Sequence, residues 1–395
     1  MKAVFLRDIA DIQTGPFGNQ LHQEDYVVAG TPIVTVEHLG KRRFTTQNLP
    51  MVSDADKQRL QKYILHKGDI VFSRVGSVDR CSFVEREHDG WMFSGRCLRV
   101  RPLEMVDSEY LYYYFCGEET KQFVRNIAVG ATMPSINTKL LGEVPIALPD
   151  METQKKIAAI VSSIDHKIEI KEVINDNLEQ QAQSYFQELF VDNADPEWTT
   201  GTISDLGVVV GGSTPSKAKP EYYTESGIAW ITPKDLSINK SKFVSHGEND
   251  ITELGLKNSS AAIMPEGTVL FSSRAPIGYI AIAAGEVTTN QGFKSVVPKP
   301  EIGTPFVYFF LKNTLPVIEG MASGSTFKEV SGSTMKNVPA VIPDAETLAK
   351  FSDFCAPIFA QQRILEEQNQ SLATLRDNLL PKLMSGEIDV SAVQL

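Results

Sequence analysis

The sequence predicts an α+β protein made of two pseudo-repeated globular domains joined by two long helices that pair as an antiparallel coiled coil. Three observations predict this architecture. Motifs recur between the two halves of the chain, short β-branched runs are bounded by turn residues, and each half ends in a heptad pattern. The predicted segments are a first globular domain at 1–150, a central helix with its linker at 151–197, a second globular domain at 198–344 and a C-terminal helix with its tail at 345–395.

The internal duplication rests on motifs that recur in the same order. The segment NIAVGAT at 126–132 is similar to GMASGST at 320–326, which lies 194 positions later. The segment GDIVFSR at 68–74 parallels GTVLFSSR at 267–274 at an offset of about 199, as expected if loops differ in length. Each half therefore has a globular part followed by a more regular segment.

Both globular parts are predicted to mix helices and strands. Short runs of β-branched or aromatic residues are bounded by Gly, Pro, Asn and Asp, which is typical of strands. These runs are 33–36, 70–72, 228–231, 269–271 and 279–282, and short helices are predicted around 109–123 and 305–315.

The two remaining segments are predicted to be long helices in matching heptad registers. The a positions of the central segment are Ile157, Ile164, Lys171, Leu178 and Tyr185, and a shift of 194 gives Phe351, Ile358, Leu365, Leu372 and Leu379. At nearly 40 residues each, these helices would be roughly 55–60 Å long. We expect them to pair antiparallel and to act as a spacer between the globular domains.

Both heptad patterns place an asparagine at the same d position, Asn175 and Asn369. One interpretation is that the two side chains pair within the seam, because a buried Asn pair fixes the register of a coiled coil. The other is that this position of the seam is solvated. The predicted helix-pairing residues are Ile157, Ile164, Asn175 and Leu178 on the central helix, and Phe351, Ile358, Asn369 and Leu372 on the C-terminal helix.

Composition excludes several classes of protein. Of the 395 residues, 42% are hydrophobic and 22% are charged, which is ordinary for a globular chain. No apolar run approaches the roughly 18 residues of a membrane span, and the first residues lack the apolar core of a secretory signal, so we expect a cytoplasmic protein without membrane contact. The 4 cysteines form no CxxC pair and the 6 histidines no HxxxH spacing, so we expect no metal site.

The net charge of −11 is unevenly distributed along the chain. Segment 151–197 carries 4 basic and 10 acidic side chains, and segment 345–395 carries 4 and 7. The globular segments are nearly neutral, with 18 basic and 19 acidic side chains in 1–150 and with 12 and 13 in 198–344. Since phosphate contacts need Lys and Arg, the globular domains are the parts that could approach nucleic acid.

The sequence contains no recognisable catalytic constellation. The segment GGSTPSK at 211–217 lacks the glycine that precedes the lysine of a Walker A loop, and we interpret it as a flexible surface loop. No GxGxxG follows a predicted strand, and no GxSxG is present. Pro149-Asp150 followed by Asp165 and Lys167 loosely imitates a nuclease motif, but Asp165 and Lys167 are expected in mid-helix and facing solvent.

The remaining features are consistent with recognition of DNA, since Arg can fork onto guanine O6 and N7 or clamp a phosphate. Arg74 and Arg274 end strands that match between the halves, and Arg96, Arg99 and Arg101 are expected along one face of a strand as an edge that tracks phosphates. The alternative for each is a solvated surface charge. The candidate DNA-binding residues are Lys41, Arg42, Arg43, Arg74, Arg96 and Arg99 in the first domain, and Lys217, Lys234, Lys240 and Arg274 in the second.

Two further features recur in both halves. A basic–aromatic cluster occupies 41–44, and Lys234, Lys240 and Lys242 lie at a similar place in the second half. The glycine turns at 130–132 and 324–326 could offer backbone amides to a phosphate, or they could begin the last strand of each domain.

Together these features resemble the specificity subunit of Type I restriction–modification systems, over essentially the full length of the chain. The order and spacing of the motifs make their combination specific for this family. The pattern GATM at 130–133 departs from the commoner Gly-Ser/Thr-Thr-aromatic turn, which leaves the role of that turn open. The resemblance is carried by GDIVFSR at 68–74, SSRAPIG at 272–278, GSTF at 324–327, VPAVIPD with ET at 338–347 before a long helix, and NLLPKLMSGE at 378–387.

The resemblance implies a function and a set of partners. Each globular part would be a target-recognition domain that reads one half of a gapped, asymmetric double-stranded DNA site. The helices would set the gap and dock two modification (methyltransferase) subunits, which carry S-adenosylmethionine and methylate adenine. Restriction subunits with ATP-driven translocation would join the complex. S-adenosylmethionine, ATP and Mg²⁺ are thus expected on partner subunits, with no cofactor in this chain, which is expected to be non-catalytic.

The alternative interpretation is a coiled-coil scaffold that joins two protein ligands without binding DNA. An affinity for duplex DNA that falls steeply with salt separates the two interpretations. A third interpretation, an enzyme in its own right, requires the lone chain to methylate or cleave DNA.

Overall fold

The chain divides into two compact units, each containing one globular domain and parts of both long helices. Unit 1 comprises Met1–Ile168 with Ser371–Leu395, and unit 2 comprises Glu169–Gln370. The predicted mixture of helices and strands is confirmed. The structure, a computed structural model, describes residues 2–17, 20–274, 276–324 and 328–393.

The globular part of unit 1 is built around two small sheets. Strands β2, β9, β6 and β7 form an antiparallel sheet in that order, β3, β5, β4 and β8 form the second, and β1 pairs with β10. The elements are β1 (Lys2–Phe5), α1 (Leu6–Ile9), β2 (Ala10–Thr14), β3 (Tyr26–Val27), β4 (Thr31–Val34), β5 (Met51–Val52), α2 (Asp54–Arg59), β6 (Ile70–Ser73), β7 (Cys81–Phe83), β8 (Met92–Phe93), β9 (Cys97–Pro102), α3 (Ser108–Cys116), α4 (Glu118–Ile127), α5 (Thr138–Gly142) and β10 (Pro145–Leu148).

The globular part of unit 2 repeats this sheet order, which confirms the predicted duplication. Strands β12, β20, β17 and β18 correspond to β2, β9, β6 and β7, with β15 as an added edge strand, and β13, β16, β14 and β19 form the second sheet. The elements are β11 (Thr199–Thr202), α7 (Ile203–Leu206), β12 (Gly207–Gly211), β13 (Tyr223–Thr224), β14 (Ile228–Ile231), α8 (Pro233–Ile238), β15 (Phe243–Val244), β16 (Asn249–Ile251), α9 (Glu253–Lys257), β17 (Val269–Ser273), β18 (Ile277–Ala283), β19 (Thr288–Thr289), β20 (Lys294–Pro298), α10 (Thr304–Gly320), α11 (Gly332–Lys336) and β21 (Pro339–Ile342).

Each long helix begins after a Pro-Asp pair whose carboxylate caps the first turn. Asp150 Oδ1 accepts a hydrogen bond from Thr153 N at 3.0 Å. Asp344 Oδ1 accepts the matching bond from Thr347 N at 2.9 Å. No helix in the described ranges combines the length and apolarity needed to cross a bilayer. The long helices are α6 (Met151–Gln187), continued by a π-helical turn at Glu188–Asp192, and α12 (Ala345–Ser385).

In unit 1 the beginning of α6 packs against the end of α12 and the tail that follows it. Arg376 Nη1 donates to Asp165 Oδ1 at 2.9 Å, and Lys156 Nζ donates to Ser391 O at 2.8 Å. Residue numbers fall along α6, from Asp165 to Lys156, while they rise in the partner segment, from Arg376 to Ser391. The helices therefore run antiparallel here. The seam merges with the core of the first domain through the buried side chains of Ile157, Val161, Leu380 and Leu383.

In unit 2 the end of α6 packs against the beginning of α12, again antiparallel. Gln362 Nε2 donates to Asn175 O at 3.3 Å, and the rings of Tyr185 and Phe351 lie 6.0 Å apart. The seam merges with the core of the second domain through the side chains of Phe186, Phe351 and Ile358.

Asn175 and Asn369 lie at different levels of the helix pair, so the predicted asparagine pairing is wrong. Asn175 lies opposite Gln362, whereas Lys171 donates to Gln368, one residue before Asn369. In an antiparallel pair of helices, two residues related by the 194-residue repeat face each other only at the centre of the pair. The other predicted helix-pairing residues are buried (Ile157, Ile164, Phe351 and Ile358) or half-buried (Leu178 and Leu372).

Candidate nucleic-acid interface

One cleft in unit 2 gathers three of the predicted DNA-binding side chains. It has a volume of about 680 Å³ and is lined by Lys217, Lys234 and Arg274, which come from three separate segments of the second domain. Trp230 and Gln291 line the same cleft. Positive charges and a side-chain amide are groups that bind phosphates and base edges, whereas Trp230 is buried and donates to Ser213 O within the domain.

Local features of the sequence shape the walls of this cleft. Lys234 lies in the first turn of α8, where Asp235 Oδ2 accepts from Thr232 N at 2.7 Å and Thr232 Oγ1 accepts from Asp235 N at 3.4 Å. This reciprocal capping fixes the start of the helix. Gly212 lets the loop that follows it approach the opposite wall, because a Cβ there would lie 2.0 Å from the backbone oxygen of Asn290.

Carboxylates pair with two of the cations that line the cleft, Lys234 and Arg274. Lys234 Nζ donates to Glu248 Oε2 at 2.5 Å, and this hydrogen bond raises the pKa of Lys234. Arg274 Nη1 lies 3.6 Å from Glu329 Oε2, and Lys294 Nζ lies 3.9 Å from Glu329 Oε1. The pairs of Lys234 and Arg274 are open to solvent and contribute little free energy, so phosphate groups can replace their carboxylates.

In unit 1, two arginines and an aromatic ring form the corresponding candidate surface. Arg74 Nη1 donates to Gly95 O at 3.1 Å, and its guanidinium lies 5.8 Å from the centre of the Phe17 ring. Phe17 is 61% exposed, and the neighbouring Arg96 is also exposed. The sequence interpretation missed Phe17 and Gln291. The Gly-Pro pair before Phe17 is a turn signal that could have drawn attention to it.

Arg74 and Arg274 follow strands that match between the halves, as predicted, but the two arginines do not occupy equivalent backbone positions, so their interpretation as a matched pair is wrong. Arg74 N donates to Arg96 O at 2.8 Å. The matching bond in unit 2 runs from Ser273 N to Gly292 O at 2.7 Å. Arg274 therefore lies one residue beyond the position of Arg74, because the second half has an additional serine before its arginine. A shift of one residue in extended chain turns a side chain to the opposite face.

Three other predicted cations are exposed and are not among the residues that line the cleft. Lys41 and Arg43 lie on the surface of the first domain, where Arg43 pairs with Glu87. Lys240 Nζ lies 4.4 Å from the centre of the Tyr279 ring. DNA contact by these three residues stays a prediction.

Arg42 is buried, with 7% of its surface exposed, so its prediction as a DNA contact is wrong. Its Nε donates to Glu85 Oε1 at 2.8 Å, and its Nη2 donates to Glu109. The sequence shows the basic run but not these carboxylates, which lie more than 40 positions away and approach only in the folded domain.

Arg99 is buried as well, with 3% of its surface exposed, and its prediction as a DNA contact is also wrong. It lies on β9, an interior strand, and its Nη2 donates to Asp11 Oδ2 at 2.5 Å. Arg101 donates through Nε and Nη2 to the two oxygens of Asp69, each at 2.7 Å. Arg99 is buried and Arg101 is half-buried, and each is paired with a carboxylate of its own domain, so the two arginines do not form the expected edge that tracks phosphates.

The glycine turns of the two halves are closed by matching backbone bonds. Val129 and Ser135 exchange hydrogen bonds of 2.9 and 2.8 Å, and Ser323 and Glu329 exchange bonds of 3.1 and 2.8 Å. These bonds favour a structural role for the turns. Residues 325–327 of the second turn lie outside the described residues.

In the described part of the chain, no cluster of three or more His, Cys, Asp or Glu side chains is arranged to hold a metal ion. Asp165 lies in mid-helix as predicted, but it does not face solvent. It is 8% exposed and accepts a hydrogen bond from Tyr113 Oη at 2.9 Å, because this face of α6 packs against the first domain.

Comparison with known proteins gives matches over both halves. The family described as "Type I restriction modification DNA specificity domain" matches residues 1–180 and 196–375. The chain is 39% identical over 194 residues to the Type I restriction enzyme MjaIX specificity subunit of Methanocaldococcus jannaschii, a match that covers 47% of this chain and only 45% of that relative. It is 25% identical over 406 residues to the HindI specificity subunit of Haemophilus influenzae, with 83% and 88% of the two chains covered. The crystal structure of the Type-I restriction–modification system S subunit from M. genitalium shares the fold, with a TM-score of 0.60, 17% identity and coverage of 97% of this chain and 95% of that one.

Proposed function

The chain belongs to the Type I restriction–modification DNA specificity family, and from this premise we propose that its two globular domains read the two halves of a bipartite, gapped DNA target. Membership implies DNA target recognition by a subunit that is itself non-catalytic. The two domains differ in sequence, so we expect the two half-sites to differ as well.

The observation that carries this proposal is the cleft of unit 2. It collects Lys217, Lys234 and Arg274 from separate segments around an otherwise nearly neutral domain. A guanidinium can read guanine, and ammonium groups can neutralise phosphates without sequence preference. In unit 1 the group of Arg74, Arg96 and Phe17 is the counterpart, with Arg96 and Phe17 exposed and Arg74 half-buried.

The long helices would set the gap between the half-sites. Helix α6 has 37 residues and α12 has 41, which correspond to about 55 and 60 Å at 1.5 Å per residue. Both helices run without a break from one unit into the other. A continuous helix is stiff enough to impose a fixed length on whatever is attached to it.

An exposed apolar stripe on α6 supports docking of partner subunits on the helices. Ile170, Val173 and Ile174 are 60%, 59% and 42% exposed, and their spacing places them on one face. An apolar stripe on an otherwise acidic helix is typical of an interface. We assign it to modification (methyltransferase) subunits. Restriction subunits would complete the assembly, and S-adenosylmethionine, ATP and Mg²⁺ would be bound by these partners.

Binding of duplex DNA as a function of salt tests the proposal. If about six phosphates are neutralised, log K should fall against log salt with a slope of about −5. Lys234→Ala should reduce the magnitude of this slope by about 1. Lys350→Ala, at an exposed site on α12, is the matched control and should leave the slope unchanged. A weak association that does not depend on salt would instead favour a scaffold that joins two protein ligands.

A further inference from the structure

Each globular domain contains a buried cation in the segment with the basic–aromatic pattern. Arg42 and Lys242 are each 7% exposed, and they lie 200 positions apart. Burying a charge is unfavourable unless it is paired and hydrogen-bonded. Lys242 pairs directly with a carboxylate of a long helix, whereas Arg42 pairs with Glu85 and Glu109 of its own domain and reaches the long helices through Tyr113.

In unit 1, a chain of hydrogen bonds leads from Arg42 to both helices. Arg42 Nη1 donates to Tyr113 Oη at 2.9 Å, and Tyr113 Oη donates to Asp165 Oδ2 of α6 at 2.9 Å. Arg376 Nη1 of α12 donates to the other oxygen of Asp165 at 2.9 Å. The guanidinium also faces three aromatic rings, with ring centres at 4.8 Å (Phe83), 5.6 Å (Tyr112) and 5.5 Å (Tyr113).

In unit 2, Lys242 reaches both helices directly. Its Nζ donates to Glu179 Oε2 of α6 and to Gln362 Oε1 of α12, each at 2.8 Å. Lys312 Nζ donates to the second oxygen of Glu179 at 2.5 Å. Three aromatic rings again surround the cation, with centres at 3.5 Å (Phe359), 4.5 Å (Tyr308) and 5.1 Å (Phe309).

The main chain around Lys242 is attached to α12 as well. The backbone N–H groups of Lys242 and Phe243 donate to Glu366 Oε1 at 2.8 Å and Oε2 at 3.0 Å. The segment is therefore held by its backbone and by its side chain at once. Because the segment is attached at two points, each set of hydrogen bonds opposes rotation of the domain about the other set.

In both domains the cation packs against the same face of an equivalent helix, which is α3 in unit 1 and α10 in unit 2. Gly68 packs against Ser108 at the start of α3, and Gly267 packs against Thr304 at the start of α10. This correspondence aligns Tyr112 and Tyr113 of α3 with Tyr308 and Phe309 of α10. The partners on the long helices differ between the units, but the placement of a buried cation between the domain helix and the long helices recurs.

We propose that Arg42 and Lys242 are positioning residues that fix the orientation of each recognition domain on the helices of its own unit and thereby restrict the DNA target to one gap length. The proposal rests on the proposed function and deepens it. Because both side chains are enclosed, they do not contact DNA and do not set the identity of the bases.

Selection from a DNA library tests this role in the full chain assembled with its modification subunits. The probe is a pool of duplexes with randomised half-sites and variable gaps, and the readouts are the selected bases, the gap distribution and the salt slope. Lys242→Met should keep the base preferences and the salt slope of the wild type. Its preference for the correct gap over a gap one base pair longer should fall by about tenfold, which corresponds to about 1.4 kcal/mol.

Matched variants separate positioning from general stability. Lys242→Arg keeps the charge and should restore part of the gap preference, and Lys257→Met, at an exposed site of the same domain, should behave as the wild type. Arg42→Met should broaden the gap in the same way as Lys242→Met. If Lys242→Met does not fold, the double variant Lys242→Met with Glu179→Gln removes both charges and is scored by the same criteria.

Two outcomes overturn the proposal. A folded Lys242→Met variant with a lower melting temperature but an unchanged gap distribution shows a merely structural role. A smaller salt slope with an unchanged gap shows that Lys242 contacts phosphate. If the wild type itself selects no gapped duplex, the proposed function of the chain fails, and that result is distinct from a failure of the positioning role.

Discussion

Glu179 connects the buried network of unit 2 to a measurable response to acid. Burial alone would raise the pKa of Glu179, but the ammonium groups of Lys242 and Lys312 lower it from 4.5 to about 2. Tyr308 and Gln362 also face this carboxylate. Burial lowers the pKa of Lys242 to about 8, so this pair is charged at pH 7.

The sign and size of the effect follow from the lowered pKa. A carboxylate whose pKa is lower in the folded chain stabilises the folded state fully above its unfolded pKa, near 4.5, and loses this contribution as the pH falls toward 2. The difference between the two values corresponds to about 3 kcal/mol of unfolding free energy at pH 7 and to about 1 kcal/mol at pH 3. The Glu179 side chain is 22% exposed, so screening by solvent is limited.

Urea unfolding of the full chain, followed by circular dichroism at pH 7 and pH 3, measures this contribution in Glu179→Gln. We expect the variant to be less stable than the wild type by about 3 kcal/mol at pH 7 and by about 1 kcal/mol at pH 3. Glu172→Gln, at an exposed site of the same helix, should change the unfolding free energy little at either pH. An equal loss at both pH values, or a larger loss at pH 3, would refute the reasoning.

Three further predictions concern the DNA-binding surface and the helices. Arg274→Ala should weaken binding of target duplex by about 1–3 kcal/mol and relax one position of the target if it reads a base, whereas wild-type affinity with an unchanged methylation motif would contradict this role. Deleting one heptad from each long helix should shorten the distance between the domains by about 10 Å, or roughly three base pairs of gap, and an unaltered gap would refute the spacer. Glu329→Gln removes the carboxylate that lies 3.6 Å from Arg274, so it should strengthen binding of non-specific duplex at low salt. Fluorescence anisotropy measures this binding, and equal affinities of the variant and the wild type would show that Glu329 does not compete with phosphate.

Sequence reasoning predicted the features that depend on local pattern. The repeat was recognisable because capping and turn motifs recur, as with Asp150 and Asp344, which begin the two long helices. The heptad pattern identified the helices and most of their buried faces. It could not give the axial level at which an antiparallel partner lies, which is why the interpretation of Asn175 and Asn369 as a pair failed.

The errors at the candidate site come from contacts that are distant in sequence. A basic residue in a β-rich segment has the same local pattern whether it faces solvent or a buried carboxylate. Arg42 meets Glu85 and Arg99 meets Asp11 only because segments from distant parts of the domain come together. The one-residue shift of Arg274 relative to Arg74 is different, because the additional serine of FSSR at 271–274 is visible in the sequence, and the error came from matching the two arginines instead of the residues before them.

In the proposed function, this chain selects a bipartite, gapped DNA target for methylation. Genome-wide mapping of adenine methylation by long-read sequencing, with and without the gene, tests it most directly. We predict that deletion removes one gapped motif with two different half-sites and that restoring the gene brings it back. Persistence of every motif in a deletion strain that still expresses active modification subunits would contradict the account.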